Sequence, residues 1–188
     1  MSGGQRHTAL VLVDVIKAFF HPEGSTYYPA AEKVLDPIAA LLDRARERDA
    51  LVVHAAERHR PGLADFENRH LPAHNRIGDA DAEFADGFAP QARVREVEVG
   101  KRRFSAFYAT DLDLLLREQG IDEVVVAGVK TNVCIRATIQ DAFAGGFAVV
   151  LPREATNSNR PHLEEASLED IERYFGTVTS IDDALERL

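Results

Sequence analysis

The 188-residue chain has a single cysteine, no basic run, no long apolar stretch and no glycine-rich nucleotide fingerprint. One thiol forms no internal disulfide and has no Cys-x-x-Cys partner for dithiol exchange, which leaves Cys134 as a nucleophile or as core filling. The net charge of −9, without a lysine- or arginine-rich patch, argues against a nucleic-acid partner. An acidic field tolerates a cationic substrate, although many soluble proteins are acidic for solubility alone. No apolar run approaches the roughly 20 residues that span a bilayer, and Met1 to His7 lacks the apolar core of a signal peptide. A soluble, cytoplasmic protein with no membrane partner is expected. Asp14-Val15-Ile16-Lys17 follows the first apolar run, where a dinucleotide site would need Gly-x-Gly-x-x-Gly.

What is present reads as one domain over residues 1–188, since 45% hydrophobic residues suffice for one core and the length is short for two. Strand-like runs fall at 9–13, 50–55, 94–99, 123–128 and 147–151, with a weaker one at 177–181. Helical periods occupy 30–48, 111–119, 133–144 and 162–174, with Thr110 as a cap and Gly120 as a stop for the second. Alternating strands and helices predict an α/β fold with a mostly parallel sheet covered on both faces. Residues 56–93 have no period and read as long loops, which in compact domains commonly cover a site.

Cys134 follows Val124 to Val129 and Lys130-Thr131-Asn132 at the start of a helical stretch. Unpaired N–H groups and the positive end of the helix dipole there favour thiolate and offer a place for an oxyanion. A free cysteine is also often a small buried hydrophobe. Asp14 and Lys101 each follow another strand-like run, and ligands of open parallel sheets bind beyond the carboxyl ends of the strands. Three residues remote in sequence are thereby expected to converge, although an Asp after a strand also caps turns and a Lys is also an ordinary surface charge.

Leu10-Val11-Leu12-Val13-Asp14, Lys101-Arg102-Arg103-Phe104-Ser105-Ala106-Phe107 with Thr110-Asp111-Leu112, and Gly128-Val129-Lys130-Thr131-Asn132-Val133-Cys134 together resemble the isochorismatase-like cysteine hydrolase superfamily. The match runs from about Ala9 to Asp182, in the branch of N-carbamoylsarcosine amidases, ureidoacrylate amidohydrolases and streptothricin hydrolase. The resemblance implies a three-layer α/β/α sandwich with a six-stranded sheet and a catalytic triad of Asp14, Lys101 and Cys134. It also implies a cis peptide between Val129 and Lys130, an oxyanion hole from the N–H groups of Lys130 and Cys134, and a thioester intermediate. Family members commonly assemble as dimers or larger sets, so a homo-oligomer is expected.

A cysteine where isochorismatases proper typically carry glycine favours C–N hydrolysis of a small amide, ureide or lactam. Vinyl-ether hydrolysis and a non-catalytic binding role are the rival readings. Nicotinamidases bind a divalent metal through Asp-x-His after the second strand and a further His; here Ala56 and Arg58 are set at those two places, so no metal or cofactor is expected. His54, His59, His70 and His74 fit no compact ligand motif and read as loop or surface residues. Phe20, His54, Arg58, Phe107 and Lys130 are the candidate substrate-binding residues, His54 and Arg58 by a loose analogy of His-x-x-Arg-Pro segments. A Lys130 side chain entering the pocket would favour anionic or carbonyl-rich substrates, against the acidic balance of the whole chain.

Overall fold

The computed structural model describes residues 7–188. Met1 to Arg6, most of the segment read above for a signal peptide, lies outside the described residues.

The strands are β1 (Thr8–Val13), β2 (Leu51–Glu57), β3 (Glu96–Lys101), β4 (Glu123–Val129), β5 (Ala148–Pro152), β6 (Thr156–Asn157) and β7 (Thr177–Thr179). The sheet order is β3-β2-β1-β4-β5-β7, with β6 also pairing β4, and every pair is parallel. β2 and β4 are buried along their whole length, which is why they read as unbroken apolar runs rather than as alternating patterns.

Alternation divides the core in two. Leu10, Leu12 and Val52 face Ile38, Leu41 and Leu42 of α2 (Leu35–Glu47) and Ala184 of α6 (Ile181–Arg187). Ala9, Val11 and Val13 face Leu112 and Leu116 of α3 (Leu112–Glu118), Ile139 of α4 (Arg136–Ala144) and Ile171 of α5 (Pro161–Tyr174). The outcome is the expected three-layer sandwich, with one more strand than the six expected.

The differences are local. β6 has only two residues, too few to show a period. The weak 177–181 run stops at Thr179, because the Ser180 hydroxyl caps α6 by accepting a hydrogen bond from Asp183 N. The first turn of the helix expected over 30–48 is a 3₁₀ segment, Pro29–Val34, and a short α1 (Lys17–Phe20) lies beside β1. β2 runs two residues past 55, to Glu57.

Strand order reverses between β1 and β4: β2 lies on one side of β1 and β4 on the other. Such a switch point opens a crevice at the carboxyl ends of the two strands. Gly128 in β4 has φ +124°, and a Cβ there would lie 2.0 Å from the Val13 carbonyl oxygen. Only glycine lets β1 and β4 approach this closely just below the crevice. Among the described residues no helix is long and apolar enough to cross a membrane.

Candidate active site

Asp14 leaves β1 with a φ of 55°, and its N–H donates to Ala55 O at 2.8 Å. Its side chain is thereby turned across the end of β2, where Oδ1 accepts the Glu57 N–H at 2.9 Å. Lys101 closes β3 opposite Glu57 in the strand register. Its ammonium lies 2.8 Å from Asp14 Oδ2 and 3.8 Å from Cys134 Sγ, and it donates to Arg103 O at 3.3 Å. Asp14 and Lys101 are wholly buried, and Cys134 is 5% exposed.

The Val129–Lys130 peptide is cis. It is followed by a π-helical turn over Thr131–Ile135 that continues directly into α4. Wide turns of this kind occur frequently at functional sites. Val133 N and Ile135 N both donate to Lys130 O, at 3.0 and 3.2 Å.

Burial works against the thiolate that the helix start would favour. Desolvation pushes the Cys134 thiol well above its ordinary value; Lys101 opposes the rise, and the charges of Asp14 and Glu57 add to it. The same burial raises the Asp14 carboxyl against the pull of Lys101, which makes it a stronger base. Burial would lower the Lys101 ammonium, but the charges of Asp14, Cys134 and Glu57 outweigh it and keep the lysine protonated. The arrangement sets a buried ion pair beside the sulfur.

Next to this group lies a cluster that the sequence reading missed. Glu57, His59, Glu67 and His74 each turn one ligating atom inward, and those atoms lie within 4.8 Å of one another. Glu57 Oε1, His59 Nε2 and both Glu67 carboxylate oxygens are buried without a hydrogen bond. His59 Nδ1 is 2.9 Å from Asp65 Oδ2, and His74 Nδ1 is 2.7 Å from Pro72 O. Outward hydrogen bonds of this sort orient an imidazole with its Nε2 inward, where those of His59 and His74 lie 3.5 and 3.3 Å from the Glu57 carboxylate, and mixed carboxylate and imidazole donors suit a divalent cation. The residues present fit such an ion. Ala56 and Arg58 are not part of this cluster; the acid and imidazole two apart within it are Glu57 and His59. Neither His59 nor His74 is a surface residue, their side chains being 7% and 9% exposed.

The remaining candidate residues are scattered. His54 points back toward the amino end of β3, 2.9 Å from Glu96 Oε1, with Phe84 edge-on to its ring. Arg58 stacks over Phe84 and donates to Glu98. Phe107 packs against Phe147, and Phe20 lies in the core beside α2. These hydrogen bonds and ring contacts of the four do not involve Cys134. Lys130 caps the turn that carries Cys134, and its ammonium lies over the rings of Phe19 and Tyr28, 5.6 and 5.4 Å from their centroids. Nothing in motif or spacing marks Phe19 or Tyr28 in the sequence.

Residues 8–183 match the family model of the isochorismatase domain. The chain is 36% identical to a maleamate amidohydrolase of Pseudomonas putida, over 99% of this chain and 89% of the relative. Among solved structures, an isochorismatase-like hydrolase from Alkaliphilus metalliredigens superposes with a TM-score of 0.88 at 33% identity, covering 95% of this chain and 97% of that one. A pyrazinamidase of Pyrococcus horikoshii in complex with zinc gives 0.83 at 28% identity, covering 93% and 99%. With the parallel sheet, its switch-point crevice and a family match along nearly the whole chain, this protein belongs to the isochorismatase family.

Proposed function

We propose that the protein is a cysteine-dependent amidohydrolase that cleaves the C–N bond of a small non-peptide amide. The observation that carries the reading is the Lys101 ammonium between the Asp14 carboxylate and the Cys134 sulfur, in the crevice where three strands end. Asp14 takes the thiol proton of Cys134 as substrate binds, and Lys101 holds the developing thiolate by its charge. The sulfur attacks the amide carbonyl, and the Lys130 and Cys134 N–H groups receive the oxyanion, each such donor being worth roughly 3–4 kcal/mol in the transition state. Protonated Asp14 returns its proton to the leaving nitrogen as the C–N bond breaks, leaving a thioester. A water molecule, deprotonated by Asp14, attacks the thioester; the acid leaves and sulfur recovers its proton.

Glu57, His59, Glu67 and His74 would hold a divalent cation, which when bound supplies a positive charge able to polarise a nearby oxygen. Glu57 also donates its backbone N–H to Asp14 Oδ1.

The test is release of ammonia or amine from a panel of nicotinamide, N-carbamoyl amino acids, ureidoacrylate, maleamate, biuret and streptothricin. Cys134→Ala and Cys134→Ser are expected to lose turnover by at least about a hundredfold. Wild-type rates in either variant would end the covalent scheme, and cleavage of a vinyl ether by Cys134→Ala would replace it with acid catalysis.

A further inference from the structure

Lys130 is a cation without an anion. Among the described residues no carboxylate oxygen lies within 4 Å of its ammonium, in a chain with 31 acidic residues. Instead it rests over two aromatic faces, Phe19 and Tyr28. Ring faces attract an ammonium but do not neutralise it. The rings are firmly set: Phe19 and Tyr28 are buried, and the Tyr28 hydroxyl donates to Asn157 Oδ1 at 2.8 Å.

Glu164, whose charge acts on Tyr28, accepts the Ser158 N–H at 2.7 Å. A second cation, Arg160, is close enough for its charge to work against that of Lys130. Partial burial opposes the ammonium as well, while the sulfur of Cys134 favours it. An unpaired, partly desolvated positive charge beside a nucleophile is costly to the free protein and is relieved by an incoming anion.

Position matters as much as charge. Lys130 is the cap residue, in extended conformation, of the π-helical turn that carries Cys134, and its ammonium is close enough for the charge of that sulfur to act on it. A substrate with its carbonyl at Sγ therefore presents whatever lies a few bonds away to the Lys130 ammonium.

We infer that Lys130 is a specificity-determining residue, and that the substrate is a small amide bearing a carboxylate a few bonds from the scissile carbonyl, such as the half-amide of a dicarboxylic acid or a ureido acid. The inference rests on the amidohydrolase reading and narrows it. Streptothricin, a polycation, is then a poor substrate despite the acidic balance of the chain.

Two measurements test it. The first compares kcat/KM for a half-amide such as maleamate or succinamate with that for the corresponding neutral diamide. Wild type is expected to prefer the charged amide by about 10- to 100-fold; Lys130→Met collapses that ratio toward one, and Lys130→Arg keeps most of it. The second needs no turnover. Maleate or succinate is expected to slow alkylation of Cys134 by iodoacetamide at mildly alkaline pH, more than the matching diamide does, and to lose that advantage in Lys130→Met. Equal preference for charged and neutral amides in wild type, or an unchanged ratio and unchanged protection in the folded Lys130→Met protein, would overturn the inference and leave the amidohydrolase reading standing. Full turnover by Cys134→Ala would instead remove the reading beneath it.

Discussion

Glu96 carries a charge with no exposed side-chain surface. Arg46 Nη2 donates to Oε1 at 2.7 Å, His54 Nε2 lies 2.9 Å from the same oxygen, and Arg93 stands 3.5 Å from Oε2. Burial works to raise its carboxyl, but hydrogen bonds from Arg46, the Gln91 N–H and His54 together bring it from 4.5 down to about 2. A carboxyl lowered on folding stabilises the fold fully above its unfolded value, and that contribution is lost as pH falls through the folded one. Glu96→Gln is therefore expected to destabilise the protein at neutral pH by roughly 3 kcal/mol, because each tenfold change in proton affinity between the folded and unfolded chain is worth about 1.4 kcal/mol. The gap to wild type should close between about pH 4.5 and pH 2. Thermal melts across that range check it, and parallel curves for the two proteins would show that the ionised form contributes nothing.

At the level of elements, the segment after β2 is tied down at its start and in its middle. His59 N donates to Asn75 O and Ile77 N to His59 O, while Asn75 Nδ2 donates to Glu57 Oε2 at 2.6 Å. Glu67, on the 3₁₀ turn Phe66–Arg69, lies 3.7 and 4.0 Å from the Nε2 atoms of the two histidines. Metal-free protein titrated with zinc or manganese is expected to bind one ion per chain by calorimetry and to melt at a higher temperature. Glu67→Gln should weaken binding by about tenfold or more, as loss of one carboxylate ligand would. No binding heat and no shift in melting would mean that protons and Arg103 suffice to balance the cluster. The sequence carried the strands well, since β1, β2 and β4 are buried on both faces and leave continuous Val, Leu and Ala runs. It carried Asp14, Lys101 and Cys134 as strand-end residues. It could not carry this cluster: the partners of Glu57 lie in a segment without hydrophobic period, and only loop geometry brings Glu67 and His74 back to it. Lys130 was visible as a residue, but its orientation depends on Phe19 and Tyr28, which are distant in sequence.

For the whole molecule, if Lys130 docks the substrate carboxylate as proposed, the net charge of −9 opposes its approach. An anionic amide is repelled at long range and attracted only within the crevice. Screening shortens from about 30 Å at 0.01 M salt to about 8 Å at 0.15 M, so kcat/KM for a charged half-amide should rise a few-fold over that interval. A neutral amide should show a flat profile. A fall with salt for the charged substrate would mean that the positive patch already governs encounter. Glu57 joins the two halves of this machinery, since its backbone N–H steadies Asp14 and its carboxylate anchors the following loop. On the proposed mechanism, remodelling that loop would therefore retune the base at the same stroke, so that selectivity and basicity would be inherited together.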